Sequence, residues 1–251
     1  MRLTRVYVDA ALKPGNLVEL PSDTASHLAK VLRARSGDPL ILFNGDGREF
    51  DGTIETVRGS RLSASVGVGR LVDRESPLNI TLIQCVPRGD RMDFIVQKAT
   101  ELGVGRIVPV LSQRSVVRLD QAQAESKAAH WRAVAVSACE QCGRNRLPGI
   151  EAAQPLINYL GEAAPGTGAR LVFEPEPGAC GRGGDDAGGA PEGAFVDVQI
   201  AIGPEGGFAP EELDAFRVAG FTRVGLGPRI LRTETAAIAA LVWLQARFGG
   251  M

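Results

Sequence analysis

Several residue types are scarce in this 251-residue chain, which has four cysteines, two histidines, two tryptophans and two tyrosines. In a chain without an export signal, four cysteines read as thiols rather than disulfides. Cys139 and Cys142 form a CxxC in ACEQCGR, but the stretch has a helical pattern, in which one turn places both thiols on one face with no metal implied. Cys85 and Cys180 stand alone and His27 and His130 lack ligand spacing, so neither a metal site nor a thioredoxin-type redox pair is expected. Long apolar runs are missing as well. The longest, Ala236 to Leu244, is about half of what a membrane span requires. The opening MRLTRVYVDA is charged at Arg2, Arg5 and Asp9 and has no apolar stretch of signal-peptide type. A cytoplasmic protein with no membrane partner is expected.

Two phosphate-binding patterns are also absent. Neither GxGxxG after the first strand of a βαβ unit nor GxxxxGK[ST] occurs, which argues against dinucleotide and nucleoside triphosphate sites. No sign of charge dominates, the formal net charge being -1. That average conceals a division, because residues 1–74 sum to +2, residues 75–150 to +3 and residues 151–251 to -6. A basic front and an acidic rear suggest an anionic partner held by one portion only, and a plain solvated surface fits the same numbers.

What is present suffices for a core: 44% of residues are hydrophobic and 23% charged, and the length suggests two domains at about 150 residues each. In residues 1–74 the segments RVYV, NLVEL, PLILFN, REFDGTIETV and RLSASVGV favour strands and are parted by turn residues. A small barrel is the expected shape. One helix interrupts it in PSDTASHLAKVLRAR, with Ser22 as cap, His27, Leu28, Val31 and Leu32 at helical spacing, and Lys30, Arg33 and Arg35 on the polar face. The linker candidate LVDRESP leads into a second domain over 75–251. There, NITLIQCV, GRIVPVL, RLVFE, DVQIAIG and RVGLG read as strands alternating with helices, including a long one from Gln121 to about Cys142. The pattern predicts an α/β fold with a mostly parallel sheet covered on both faces. Residues 175–193 are nearly all Gly, Pro, Ala and acid, bury too little to offset their ordering entropy, and are expected to form a mobile surface loop.

Ligands of such sheets bind at the carboxyl ends of the strands. Three loops there stand out: Glu174-Pro175, Gly203-Pro204-Glu205-Gly206-Gly207-Phe208, and Pro228 to Thr235. Two are rich in Gly and Pro, which lets backbone approach a ligand closely on a rigid turn. GPEGG has no lysine, and its glutamate repels phosphate. A ligand held mainly by backbone, such as an adenosine without polyphosphate, fits better; S-adenosylmethionine is the common one. The plain alternative is a strand-to-helix turn in which Pro210 and Glu211 start a helix.

IGPEGGF followed by LGPRILRTETAA, with RGDRMDFIVQKATELGV, RSVVR and ACEQCGR upstream and RVYV and HLAKVLR near the start, resembles the RsmE group of the SPOUT methyltransferases. The resemblance spans nearly the whole chain. It implies a PUA-like barrel over 1–74 and an α/β methyltransferase domain over 75–251 whose trefoil knot forms the cofactor pocket, arranged as a homodimer. Knots are rare, and the strand pattern alone implies none. The implied reaction is methylation of uridine N3 in small-subunit (16S) ribosomal RNA, with 16S rRNA or the small ribosomal subunit as partner. S-Adenosylmethionine is then expected against Leu171, Phe173 and Glu174, against Ile202, Gly203, Pro204, Glu205 and Gly206, and against Leu226, Gly227, Ile230, Leu231, Thr233, Thr235 and Ala236.

Uracil N3 carries a proton at neutral pH, so the reaction needs a base or a stabiliser of the anion. Glu205 and Glu234 are the acids in the cofactor loops, and either can serve. Arg232 is the best candidate to stabilise charge on the carbonyl oxygens. The plain alternatives are that Glu205 caps the next helix and that Thr233 and Glu234 open the last one. RNA contacts are expected from Arg5, Lys30, Arg33, Arg88, Arg91, Arg114 and Arg144, where arginine forks suit phosphate and unpaired bases. A tRNA-directed SPOUT enzyme and a non-catalytic RNA-binding protein are the rival readings. The first leaves the N-terminal segment and QKATELGV unexplained, the second the two glycine-rich loops.

Overall fold

Apolar residues at alternate positions set the N-terminal strands. In RLSASVGV, Leu62, Ala64 and Val66 are buried while Ser63, Ser65 and Gly67 are only half-buried, the period of a sheet with one covered face. The computed structural model describes residues 3–59, 61–162, 168–175 and 196–249. Apart from Pro175, the stretch expected to be a mobile loop at 175–193 lies outside the described residues. The chain forms two units, one of residues 1–75 with 136–147, the other of residues 76–135 with 148–251.

In the first unit β1 (Thr4–Tyr7), β2 (Leu17–Glu19), β3 (Pro39–Phe43), β4 (Arg48–Arg58) and β5 (Arg61–Leu71) pair in the order β1-β3-β4-β5-β2. β1 and β3 are parallel and the other pairs antiparallel. Val6, Leu40, Leu42, Phe50, Ile54 and Leu62 fill its core with Ala25 and Leu28 of α1 (Ser22–Lys30). Full burial of each such aliphatic side chain contributes about 1.5–3 kcal/mol. α1 is shorter than expected. Its N-cap is Pro21 and Ser22 makes no capping bond. The chain leaves the helix after Lys30, Arg33 takes a left-handed φ of 52°, and Ala34 N–H closes on the Leu28 carbonyl. Val31 and Leu32, expected on the apolar stripe, are therefore 63% and 52% exposed.

Residues 136–147 belong to this unit although they are distant in sequence. β1 is one of the two edge strands, and its Tyr7 N–H is satisfied by the Glu140 carboxylate at 3.0 Å. Arg5 is buried, with Nη1 donating to Glu49 at 2.8 Å, Nη2 to Asn145 Oδ1 at 2.5 Å, and its guanidinium over the Phe43 ring at 4.9 Å.

The second unit is α/β. Strands β6 (Asn79–Cys85), β7 (Arg106–Leu111), β8 (Gly149–Ile150), β10 (Ala169–Phe173), β11 (Asp197–Ile202) and β12 (Thr222–Val224) run parallel in the order β12-β10-β11-β6-β7-β8, and β9 (Gln154–Pro155) also pairs with β7. β6 is buried along most of its length, with successive side chains entering opposite cores. Ile80 and Leu82 join the core that holds residues of α2 (Arg91–Glu101), α3 (Gln121–Cys142) and α6 (Thr233–Leu244). Ile83 and Cys85 join the core under α4 (Leu156–Glu162) and α5 (Pro210–Val218). The expected parallel sheet with helices on both faces is what forms. The strand order turns back between β6 and β11, which places their C-terminal loops, 86–90 and 203–209, side by side.

Candidate functional site

Parallel strands share one polarity, so the loops after β6, β10, β11 and β12 all leave the same edge of the sheet. A cleft opens there. Phe173, Ile202, Leu226 and Ala236 give it an apolar lining, Gly203 and Gly227 bring backbone to its wall, and Glu174, Pro204 and Glu205 line it as well. Ile230, Leu231 and Thr233 complete the side formed by the last loop. Three expected cofactor residues do not line it, and of the expected catalytic residues Arg232 and Glu234 do not either. Leu171 is 2% exposed and lies in the core two residues before the strand end; Gly206 faces Arg114, and Thr235 is exposed on α6. Pro175, Gly207, Phe208 and Arg229 line the cleft without having been singled out, although all four lie within the three loops marked by sequence.

The loop after β11 is held from three directions. Thr233 Oγ1 donates to the Gly203 carbonyl at 2.7 Å and accepts from Gln84 Nε2 at 2.9 Å, which ties the start of α6 to β6 and β11. Gly207 N–H closes on the Pro204 carbonyl at 2.9 Å. Glu212 accepts from Ala209 N–H and Gln113 N–H, both at 2.8 Å. Glu212, not Glu205, thus supplies the cap of α5, and Glu205 is left to face the cleft. A Cβ on Gly203 would stand 3.3 Å from the Phe208 ring, so even a methyl there asks that ring to give by a few tenths of an ångström.

The cations expected to touch RNA divide into three groups. Arg88, Arg91 and Arg114 gather on the loop after β11: Arg91 Nη1 donates to Glu205 at 2.7 Å, Arg88 N–H reaches the same oxygen at 3.5 Å, and Arg114 Nη1 donates to the Gly206 carbonyl at 3.1 Å. Lys30 and Arg33 are exposed in the first unit, Arg33 beyond the helix rather than on its polar face. Arg5 and Arg144 are a correction to the expectation. Their side chains are 4% and 6% exposed and paired with Glu49 and Glu75, because residues 136–147 cover this side of the first unit; neither presents a fork to a phosphate.

Arg232 is the exposed N-cap residue of α6, and Glu234 lies in that helix's first turn. Cys139 is buried, and the adjacent Cys142 and burial push its thiol far up, the reverse of a reactive thiolate. Among the described residues no group of three or more His, Cys, Asp or Glu can hold a metal, and no helix is long and apolar enough to cross a membrane.

Comparison with known proteins bears directly on this cleft. A family model described as an RNA methyltransferase domain matches residues 74–245, and one described as an RNA methyltransferase PUA domain matches residues 20–66. The ribosomal RNA small subunit methyltransferase E of Buchnera aphidicola is 31% identical over 250 residues, covering 100% of this chain and 98% of that protein. The Mycobacterium tuberculosis protein of the same name is 34% identical over 94% of this chain and 88% of its own. A solved structure of the Neisseria gonorrhoeae protein of that name, bound to S-adenosyl methionine, is 37% identical with a TM-score of 0.85 and 100% of each chain covered. The chain belongs to the ribosomal RNA small subunit methyltransferase E family.

Proposed function

We propose that the chain transfers a methyl group from S-adenosylmethionine to N3 of a uridine in small-subunit (16S) ribosomal RNA. The observation that carries this reading is the cleft at the carboxyl edge of the parallel sheet, lined by Phe173, Ile202, Leu226 and Ala236 and by three glycines, Gly203, Gly207 and Gly227, that bring backbone to it. Such a site suits an adenosine flanked by a short polar chain and offers no lysine-bearing cradle for polyphosphate. Relatives that carry the methyltransferase name along their whole length, one of them with S-adenosyl methionine bound, support it.

Phe173, Ile202 and Leu226 would hold the adenosine and Gly203, Pro204 and Gly227 would bring backbone to it; the bound donor supplies an electrophilic methyl group. The chain's own residues do the rest. Arg232, at the mouth of the last loop, stabilises negative charge on the uracil carbonyl oxygens, and a carboxylate of Glu205 or Glu234 takes the N3 proton. The target base is splayed from its stack to reach the cleft. Lys30 and Arg33 contact RNA phosphates from residues 1–74, read as a PUA-like barrel, while residues 75–251 form a knotted methyltransferase domain of the SPOUT type. The enzyme works in the cytoplasm as a homodimer.

Calorimetric titration with S-adenosylmethionine tests the cleft. The unaltered chain is expected to bind it without added metal, and Gly203→Val to lose at least about tenfold in affinity, equivalent to about 1.4 kcal/mol. Equal affinity in the two proteins would reject this pocket.

A further inference from the structure

Helix stability gives no reason for Arg91. It stands in the first turn of α2, where the positive end of the helix dipole disfavours a cation. Its guanidinium instead reaches two carboxylates from two other elements: Nη1 donates to Glu205 Oε1 at 2.7 Å, and Nε lies 4.0 Å from Glu234 Oε1. Glu205 lines the cleft, and Glu234 directly follows Thr233, which also lines it. The two acids differ. Glu205 is engaged by the Arg91 side chain and the Arg88 N–H, whereas Glu234, its side chain 15% exposed, has a buried Oε2 with no hydrogen-bond partner among the described residues. A carboxylate oxygen removed from water without a donor is unfavourable until an N–H arrives.

This inference rests on the reading that uracil is the substrate base. The imide edge of uracil presents an acceptor, a donor and an acceptor in sequence: O2, N3–H and O4. We propose that Arg91 and Glu234 read that edge, the guanidinium donating to a ring carbonyl oxygen while the Glu234 carboxylate accepts the N3 proton. Glu205 is then a positioning residue that orients the Arg91 fork. Cytosine reverses the pattern. Its unprotonated N3 faces a carboxylate, and where the guanidinium reads O4 the cytosine amino group faces it instead, so both contacts become repulsive. In the reaction the N3 proton passes to Glu234, the N3 electron pair forms the bond to the methyl carbon, and the sulfonium–methyl bond breaks with its electrons left on sulfur. Glu234 afterwards returns the proton to solvent. Of the two acids, the geometry selects Glu234 as base, and it moves Arg91 from phosphate contact to base recognition.

The test uses the full chain with small-subunit RNA carrying uridine, cytidine or 5-fluorouridine at the target position. Single-turnover transfer to uridine is expected to fall about a hundredfold in Arg91→Gln and in Glu234→Gln, and by less in Arg91→Lys, which keeps the charge. The melting temperature should stay unchanged and S-adenosylmethionine affinity within about twofold, because neither Arg91 nor Glu234 lines the cleft. 5-Fluorouridine, whose N3 proton is more acidic, should restore transfer by Glu234→Gln at least about tenfold more than it accelerates the unaltered chain. Without methyl donor, the unaltered chain should bind the uridine RNA more tightly than the cytidine RNA, and Arg91→Gln should lose that preference. Undiminished rates in either glutamine variant, loss of donor affinity in step with rate, or no fluorouridine rescue would overturn the assignment. If the unaltered chain methylates no uridine at all, the underlying functional reading fails instead.

Discussion

At the scale of single residues, the Arg5 to Glu49 pair shows how far burial can redirect a side chain. Burial opposes ionisation of Glu49, but hydrogen bonds from Arg5 and Arg74 outweigh it and hold its carboxyl below the usual range. A group with a depressed folded-state pKa contributes stability above its unfolded value, about 4.3 for Glu, and that contribution is lost as pH falls through the folded value. Glu49→Gln leaves the Arg5 charge buried beside a neutral partner and is expected to cost about 3 kcal/mol at pH 7. Chemical denaturation at pH 7 and below pH 4 checks this: the gap between the two proteins should close at the lower pH, and a gap of equal size at both would rule out the ionic account. The sequence could not separate Arg5 from Lys30. Both are basic residues near the start of the chain, and what distinguishes them is Glu49 and Asn145, 44 and 140 positions from Arg5.

At the scale of elements, β6, β7, β10, β11 and β12 were legible from their apolar runs, whereas the two-residue strands β8 and β9 were not; the long helix α3 was legible from a stretch rich in Ala, Gln and Glu with no Gly or Pro to break it, and the carboxyl-edge loops carrying the cleft could be marked from Gly and Pro alone. The end of α1 was not. Val31 and Leu32 continue the helical spacing, but the left-handed turn at Arg33 stops the helix first. The joint between α6 and the loop after β11 was equally hidden, since it depends on one hydroxyl between Gln84 and Gly203. Thr233→Val removes that hydroxyl at nearly constant volume and leaves a buried amide and a carbonyl without this partner. A loss of about 2 kcal/mol is expected, together with weaker binding of S-adenosylmethionine, while Thr233→Ser should recover most of both. If denaturation and titration show Thr233→Val unchanged, the joint does not hold the cleft.

At the scale of the whole molecule, the division of charge into a basic front and an acidic rear matches the proposed division of labour, RNA held by one portion and chemistry done in another. The packing of residues 136–147 with the first unit had no sequence signal, because nothing in α3 marks Val136 as a boundary. α6 is apolar nearly all round, yet Val242 remains 39% exposed and Ile238 half-buried, a face suited to a second copy. Light scattering at micromolar concentration is expected to give the mass of two chains; the mass of one would exclude the proposed homodimer. The most direct test of the account is the nucleoside itself. Small ribosomal subunits lacking the modification, incubated with the protein and labelled S-adenosylmethionine, digested and analysed by mass spectrometry, should yield one new labelled nucleoside, N3-methyluridine. Label on a ribose or on another base, or no label in the RNA, would contradict it.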